Sequence, residues 1–330
     1  MIDNIIGHNS TKKQLEIAIK SAKSRNENIP HILFSGVAGC GKTTMAMEMA
    51  RTADVDFIPV SPDEFSDREP VLRILDKLND ANYDEYGNRK GELHPTILFV
   101  DEIHRMPRRG QEILGIAMEK FLLETGKANK YLWIPYFTLI GATTDDGELS
   151  KPFREKFKLR FLFNIYNEAE ITEIIMLHAR KQNILITQKA ARTIAQRSRG
   201  IPRTAVSFLE RCRDYSHFIK AKIITSKAVL DNFKTMGIDS LGLTGAEIKI
   251  LKTLYQSTEP IGLDNLAIIS DEAKKNLLNT IEPFLIRQGL IVRGGKGRYI
   301  TDKGRQHLEK DGYLGVRLRR KEIDPGYVRR

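Results

Sequence analysis

The chain has 330 residues, 41% of them apolar and 29% charged, a length that accommodates two or three domains with sizeable cores. No run approaches the roughly 20 apolar residues that cross a bilayer, and no basic segment followed by an apolar one opens the chain, so the expectation is a cytoplasmic protein without a membrane partner. Two cysteines, Cys40 and Cys212, are too few for a disulfide framework or a cysteine zinc site. The net charge of +11 is concentrated late, because residues 293–330 hold 12 Lys/Arg against 5 Asp/Glu. Such a block is suited to a phosphate backbone.

In chain order, "KQLEIAIKSAKSR" has a helical pattern, "HILFSG" reads as a strand and "TTMAMEMARTA" as the helix after it. "DFIPV", "TILFVDE" and "FTLIGATT" are further strands, separated mostly by helical stretches. This βαβ rhythm predicts a mostly parallel sheet covered on both faces. From Tyr166 the pattern becomes all-helical, with apolar stripes at three- and four-residue spacing in "AEITEIIMLHARKQN", "TQKAARTIAQRSRG", "PRTAVSFLERCRDYSHFIK" and "TSKAVLDNFKTMG". A third unit starts at "LGLTGAEIKILKTLYQ" and ends in the glycine-rich basic turn "RGGKGRYI", which predicts a winged helix. The expected boundaries are 1–165 for the α/β nucleotide domain, 166–240 for the helical lid, 241–310 for the winged helix and 311–330 for a basic tail.

Four motifs carry chemistry. "GVAGCGKT", Gly36 to Thr43, has the spacing of a phosphate-binding loop between strand and helix. Gly36, Gly39 and Gly41 let backbone N–H groups reach phosphate, Lys42 brings charge to the β and γ oxygens, and Thr43 brings a hydroxyl to Mg²⁺. "TILFVDE" ends an apolar strand in Asp101, suited to the magnesium shell, and Glu102, suited to polarise the attacking water. A GTPase base-recognition motif is absent from the sequence, which favours ATP. Thr143, at the end of "LIGATT", can orient water from the far side of the γ-phosphate. Arg203, in "GIPRTA", can reach back to that phosphate from the helical segment. Together these parts describe an AAA+ module.

With "LFVDEIHRM", "SRGIPRTA", "LGLTGAEIKIL", "IGLDNLA" and "IEPFLIRQGLIVRGGKGR" in this order, the chain resembles the RuvB family of Holliday-junction branch-migration ATPases over roughly residues 3–308. The resemblance implies a homohexameric ring around duplex or four-way-junction DNA, a RuvA-like junction-binding partner and coordination with a RuvC-like resolvase. It aligns Gly39, Lys42, Thr43 and Thr44 with the phosphate loop, Asp101 and Glu102 with Walker B, Thr143 with sensor 1 and Arg203 with sensor 2. It also places Glu119 and Phe121 near nucleotide and Tyr166 at the start of the lid. On the wing it puts Arg293 and Arg298 on DNA, with Lys296 between them. The chain departs from the family at "PFREKFK", where Lys156 takes the position of the usual trans-acting arginine, and at Asp145, where the family has arginine. Arg154 is then the first candidate for the finger and Lys156 the second. The leading expectation is an ATP-driven DNA motor; the alternatives are a DNA-bound loader or remodeler that does not translocate, and a weakly active ATP-binding scaffold.

Overall fold

In a computed structural model the described residues are 2, 4–67, 69–74, 78, 96–124, 131–134 and 136–313. The basic tail expected after residue 310 lies outside them from residue 314 onward. The chain forms two compact units, Met1–Arg211 and Cys212–Arg330.

The first unit begins with α1 (Asn9–Arg25), β1 (Ile32–Gly36), α2 (Lys42–Ala53), β2 (Asp56–Val60), β3 (Thr96–Val100) and α3 (Arg108–Lys120). A short hairpin, β4 (Leu122–Glu124) and β5 (Tyr131–Trp133), precedes β6 (Phe137–Thr143), α4 (Lys151–Glu155) and β7 (Leu159–Phe163). Five of these strands form one parallel sheet in the order β2-β3-β6-β1-β7. β3 and β6 are buried along their whole length, which explains why they read as continuous apolar runs with no alternation. Phe65, Leu98, Val100, Leu114, Phe137 and Phe153 pack one side of this core. Because β6 lies between β3 and β1, with Val100 opposite Gly141 and Ser35 opposite Thr143, the carboxyl ends of all three strands open at one edge. Ligands of open parallel sheets bind at such an edge.

The all-helical segment comprises α5 (Glu168–Lys181), α6 (Gln188–Arg197), α7 (Pro202–Phe218) and α8 (Ser226–Thr235). Side chains start these helices: Asn167 and Glu170 form a reciprocal capping box, and Thr187 and Thr225 cap α6 and α8. Between α6 and α7, Gly200 adopts φ +71°, and a Cβ there would stand 2.5 Å from the Tyr166 carbonyl oxygen. Glycine is required, since that carbonyl cannot move away without distorting the lid entry.

The second unit contains α8, α9 (Gly245–Gln256), α10 (Leu263–Ser270) and α11 (Lys274–Asn276). A π turn at Leu277–Ile281 then leads into α12 (Glu282–Arg287), the hairpin β8 (Ile291–Gly294) and β9 (Gly297–Ile300), and α13 (Asp302–Lys310). Leu251, Leu266, Leu285, Ile291, Ile300 and Leu308 form its core. A bridge from Ile261 to Arg298 adds a third extended segment to the hairpin, completing a winged helix. The turn 239–243 is tied to α13 by Asp239: one carboxylate oxygen accepts the N–H of Leu241 and Leu243, and the other pairs with His307 Nε2 at 2.7 Å.

Candidate active site

The open edge of the sheet carries the loop between β1 and α2. Its backbone turns through positive φ at Gly36 (+131°), Gly39 (+80°) and Gly41 (+91°), conformations that L side chains resist. Lys42, almost fully buried, folds its ammonium back onto the loop, donating to the carbonyls of Gly36 (2.7 Å) and Val37 (3.1 Å). Burial pushes this ammonium below its ordinary range, while Glu102 and Asp101 act in the opposite direction. Thr43 Oγ1 donates to Asp101 Oδ2 at 3.2 Å, bringing hydroxyl and carboxylate oxygens together across the β1–β3 gap. This is a hard-oxygen pair of the kind that suits Mg²⁺.

Glu102 follows β3 in a left-handed conformation (φ 47°), which a non-glycine residue adopts at a cost of order 1 kcal/mol. Its N–H donates to Asp101 Oδ1, and its Oε2 accepts from Thr144 Oγ1 at 3.1 Å. His104 Nδ1 lies 3.3 Å from the same Oε2 and 3.0 Å from Thr143 Oγ1. Thr143 is fully buried and also accepts the Asp145 N–H, so its hydroxyl is engaged behind the site. The hydroxyl that reaches Glu102 is that of Thr144. The sequence shows a Thr-Thr pair ending a strand but not which of the two faces the carboxylate; the strand's final twist decides that.

Arg203 opens α7 directly over the loop. Its N–H points to the Gly39 carbonyl (3.4 Å), and a Cβ on Gly39 would lie 2.9 Å from Arg203 Cβ and 3.0 Å from Ile201 Cγ2. Tyr166, buried, donates its hydroxyl to the Cys40 carbonyl at 3.3 Å, and burial pushes this phenol upward. Ala38, Gly39, Gly41, Lys42, Thr43, Thr44, Asp101, Glu102 and Arg203 line a cavity of about 450 Å³, joined by His178 and Glu210 from α5 and α7. The last two are not evident from motif spacing, because both lie on helix faces that only the fold turns inward. A larger groove of about 830 Å³ runs along α5 and α6, lined by Glu168, Glu173, Arg180 and Arg192.

Four expected residues lie elsewhere in the subunit. Glu119 forms an ion pair with Lys156, whose ammonium holds the Glu119 carboxyl below its usual range. Phe121 closes α3 and packs edge-on against Tyr136 (4.5 Å between centroids) and Phe137. Arg154 sits in the short helix α4, two residues before Lys156. None of the four lines the cavity around Lys42.

On the wing, Arg293 and Lys296 are exposed, but Arg298 corrects the expectation drawn for it. It stands opposite Arg293 in the β8–β9 register, yet it is 5% exposed. Its guanidinium forks onto Glu282 of α12, Nε to Oε1 and Nη2 to Oε2 (3.2 Å), and Glu282 is 3% exposed. Arg298 is therefore held in a buried ion pair rather than presented on the wing surface. Spacing alone could not reveal this, because its acidic partner is 16 residues away.

Three family models match the chain: the Holliday junction DNA helicase RuvB P-loop domain over residues 1–162, the RuvB AAA lid domain over 166–239 and the RuvB C-terminal winged helix domain over 240–309. Among similar proteins, the Holliday junction branch migration complex subunit RuvB of Ehrlichia ruminantium is 36% identical over 319 residues, covering 95% of this chain and 92% of its own length. The subunit of that name from Campylobacter jejuni subsp. doylei is 36% identical over 314 residues, covering 93% and 90%. The solved RuvB Holliday junction branch migration motor of Thermotoga maritima superposes with a TM-score of 0.72 at 34% identity, covering 92% of this chain and 95% of that one.

Proposed function

The chain belongs to the RuvB family, and from that membership we propose that it is an ATP-dependent motor that moves the branch point of four-way DNA junctions in recombination and repair. The observation that carries the chemistry is the convergence of Lys42, Thr43, Asp101, Glu102 and Thr144 at one sheet edge, with Arg203 above them. Lys42 holds a positive charge where the β and γ oxygens of ATP would lie, and it exchanges the Gly36 and Val37 carbonyls for them. Thr43 and Asp101 would hold Mg²⁺, which supplies charge neutralisation on the phosphate oxygens. Glu102 accepts a proton from water as the water oxygen bonds to the γ-phosphorus. The bond from that phosphorus to the β–γ bridging oxygen breaks, leaving ADP and phosphate. Arg203 spans the loop and the lid, so loss of the γ-phosphate changes what the lid helix holds.

In this reading the wing grips duplex DNA without reading bases, through Arg293 and Lys296. The working assembly is a cytoplasmic homohexamer on DNA that engages a RuvA-like junction binder and a RuvC-like resolvase. Completing each ATP site requires a cation from the neighbouring subunit, for which Arg154 is the first candidate.

The deciding experiment compares phosphate release without DNA, with duplex and with a synthetic four-way junction, and follows strand exchange of a labelled junction. ATP-dependent conversion of the junction into two duplexes is expected. Hydrolysis without strand exchange would make the chain a loader or remodeler, and absence of hydrolysis would make it an ATP-binding scaffold.

A further inference from the structure

The contact between His104 and Glu102 has a consequence for turnover. Glu102 Oε2 is a carboxylate oxygen and can only accept, and His104 Nδ1 stands 3.3 Å from it, an approach that a proton on Nδ1 makes favourable. The hydrogen bond of this nitrogen is with Thr143 Oγ1 at 3.0 Å, which anchors the ring beside the carboxylate. Thr144 supplies a second donor to Oε2 at 3.1 Å. One donor hydroxyl and the edge of one imidazole thus meet at one oxygen of Glu102, and no protein donor to the other oxygen is found among the described residues. His104 is mostly shielded from solvent, with 13% of its side chain exposed, and it lies in the short 3₁₀ turn Ile103–Arg105 directly after the left-handed Glu102. The left-handed backbone at Glu102 and the two contacts on Oε2 act together, setting the direction in which Oε1 is presented.

Resting on the reading of Glu102 as the general base, we propose that His104 is a positioning residue for ATP hydrolysis, whose ring, anchored on Thr143, holds the Glu102 carboxylate from its Oε2 side so that Oε1 faces the attacking water. His104 touches neither nucleotide nor water in this assignment; it acts through Glu102. Its removal lowers kcat and leaves ATP binding intact, because Lys42, Thr43 and the loop backbone are unchanged.

The test uses the full chain with Mg²⁺ and ATP, measuring kcat, KM, affinity for a fluorescent ATP analogue and thermal midpoint for His104→Ala, His104→Asn, His104→Gln and Glu102→Gln. Misplacing a reacting group by about 1 Å costs on the order of 100-fold, so His104→Ala should lower kcat by roughly 10- to 100-fold at unchanged analogue affinity. Asparagine places an N–H near the position of Nδ1 and glutamine near that of Nε2. His104→Asn should therefore retain kcat within about threefold, and His104→Gln should behave like alanine. Equal kcat for the Asn and Gln variants would overturn the proposal, and this comparison remains available if the alanine variant does not fold. Parental kcat in His104→Ala, with Glu102→Gln inactive, would also overturn it. Parental kcat in Glu102→Gln would instead remove the general-base reading on which it rests.

Discussion

Arg298→Met should unfold the winged helix without acting through DNA. The guanidinium and the Glu282 carboxylate are 5% and 3% exposed, and each carries two of the other's contacts. Removing the arginine leaves a carboxylate in the core with no counter-charge, which costs about 3–5 kcal/mol. A region the size of residues 240–309 has a total stability of the same order, since ~0.05–0.15 kcal/mol per residue is usual. At 1.4 kcal/mol per decade, the loss raises the open population by about two to three and a half decades. Hydrogen exchange at the β8 and β9 amides reads this directly, and urea unfolding followed by circular dichroism should show an early transition. Replacing both partners, Arg298→Met with Glu282→Leu, removes both buried charges and should restore most of the protection, because an apolar pair of similar volume is often no less stable. Salt-dependent DNA affinity of that double variant should match the parent. Unchanged exchange in Arg298→Met together with lost DNA binding would refute the reasoning and return Arg298 to the DNA surface.

Arg293→Ala with Lys296→Ala should weaken binding to all duplex sequences alike and flatten the slope of log affinity against log salt by about 2, close to 0.9 per phosphate contact; loss confined to one sequence would mean base readout. Arg154→Ala should abolish hydrolysis in assembled protein while sparing ATP binding, and mixing it with Lys42→Ala subunits should restore some activity; full activity in Arg154→Ala with loss in Lys156→Ala would move the finger to the lysine. His31 is neutral in the fold, with Nδ1 accepting the Leu139 N–H (2.9 Å) and Nε2 facing the Met118 carbonyl (3.2 Å), and burial lowers it to about 4 from 6.5. The unfolded chain takes up this proton first, so the contribution is complete above pH 6.5 and disappears as pH falls from 6.5 to about 4. It is worth roughly 3 kcal/mol. His31→Leu should be less stable at neutral pH but flatter across that window in urea midpoints, and an unchanged slope would show that other groups carry the acid dependence.

The nucleotide chemistry was legible in the sequence because it is local. A phosphate loop needs Gly39, Gly41, Lys42 and Thr43 at fixed spacing on one turn of chain, and an acidic pair ending an apolar run is costly without a task. The parallel sheet was legible for the same reason: β3 and β6 are covered on both faces, so their residues must be apolar throughout. Tertiary structure alone decided which side chains of these segments meet. Thr143 and Thr144 are adjacent, and only the end of β6 against the Glu102 turn sends one hydroxyl to His104 and the other to the carboxylate. Glu119 and Lys156 are 37 positions apart, and their pairing follows from packing that no local pattern encodes. Arg298 looks like its neighbour Arg293 in sequence, yet α12 supplies a buried carboxylate to one of them only. A charge in a basic turn is solvated by default; it becomes structural where the fold has removed water and offered a partner instead.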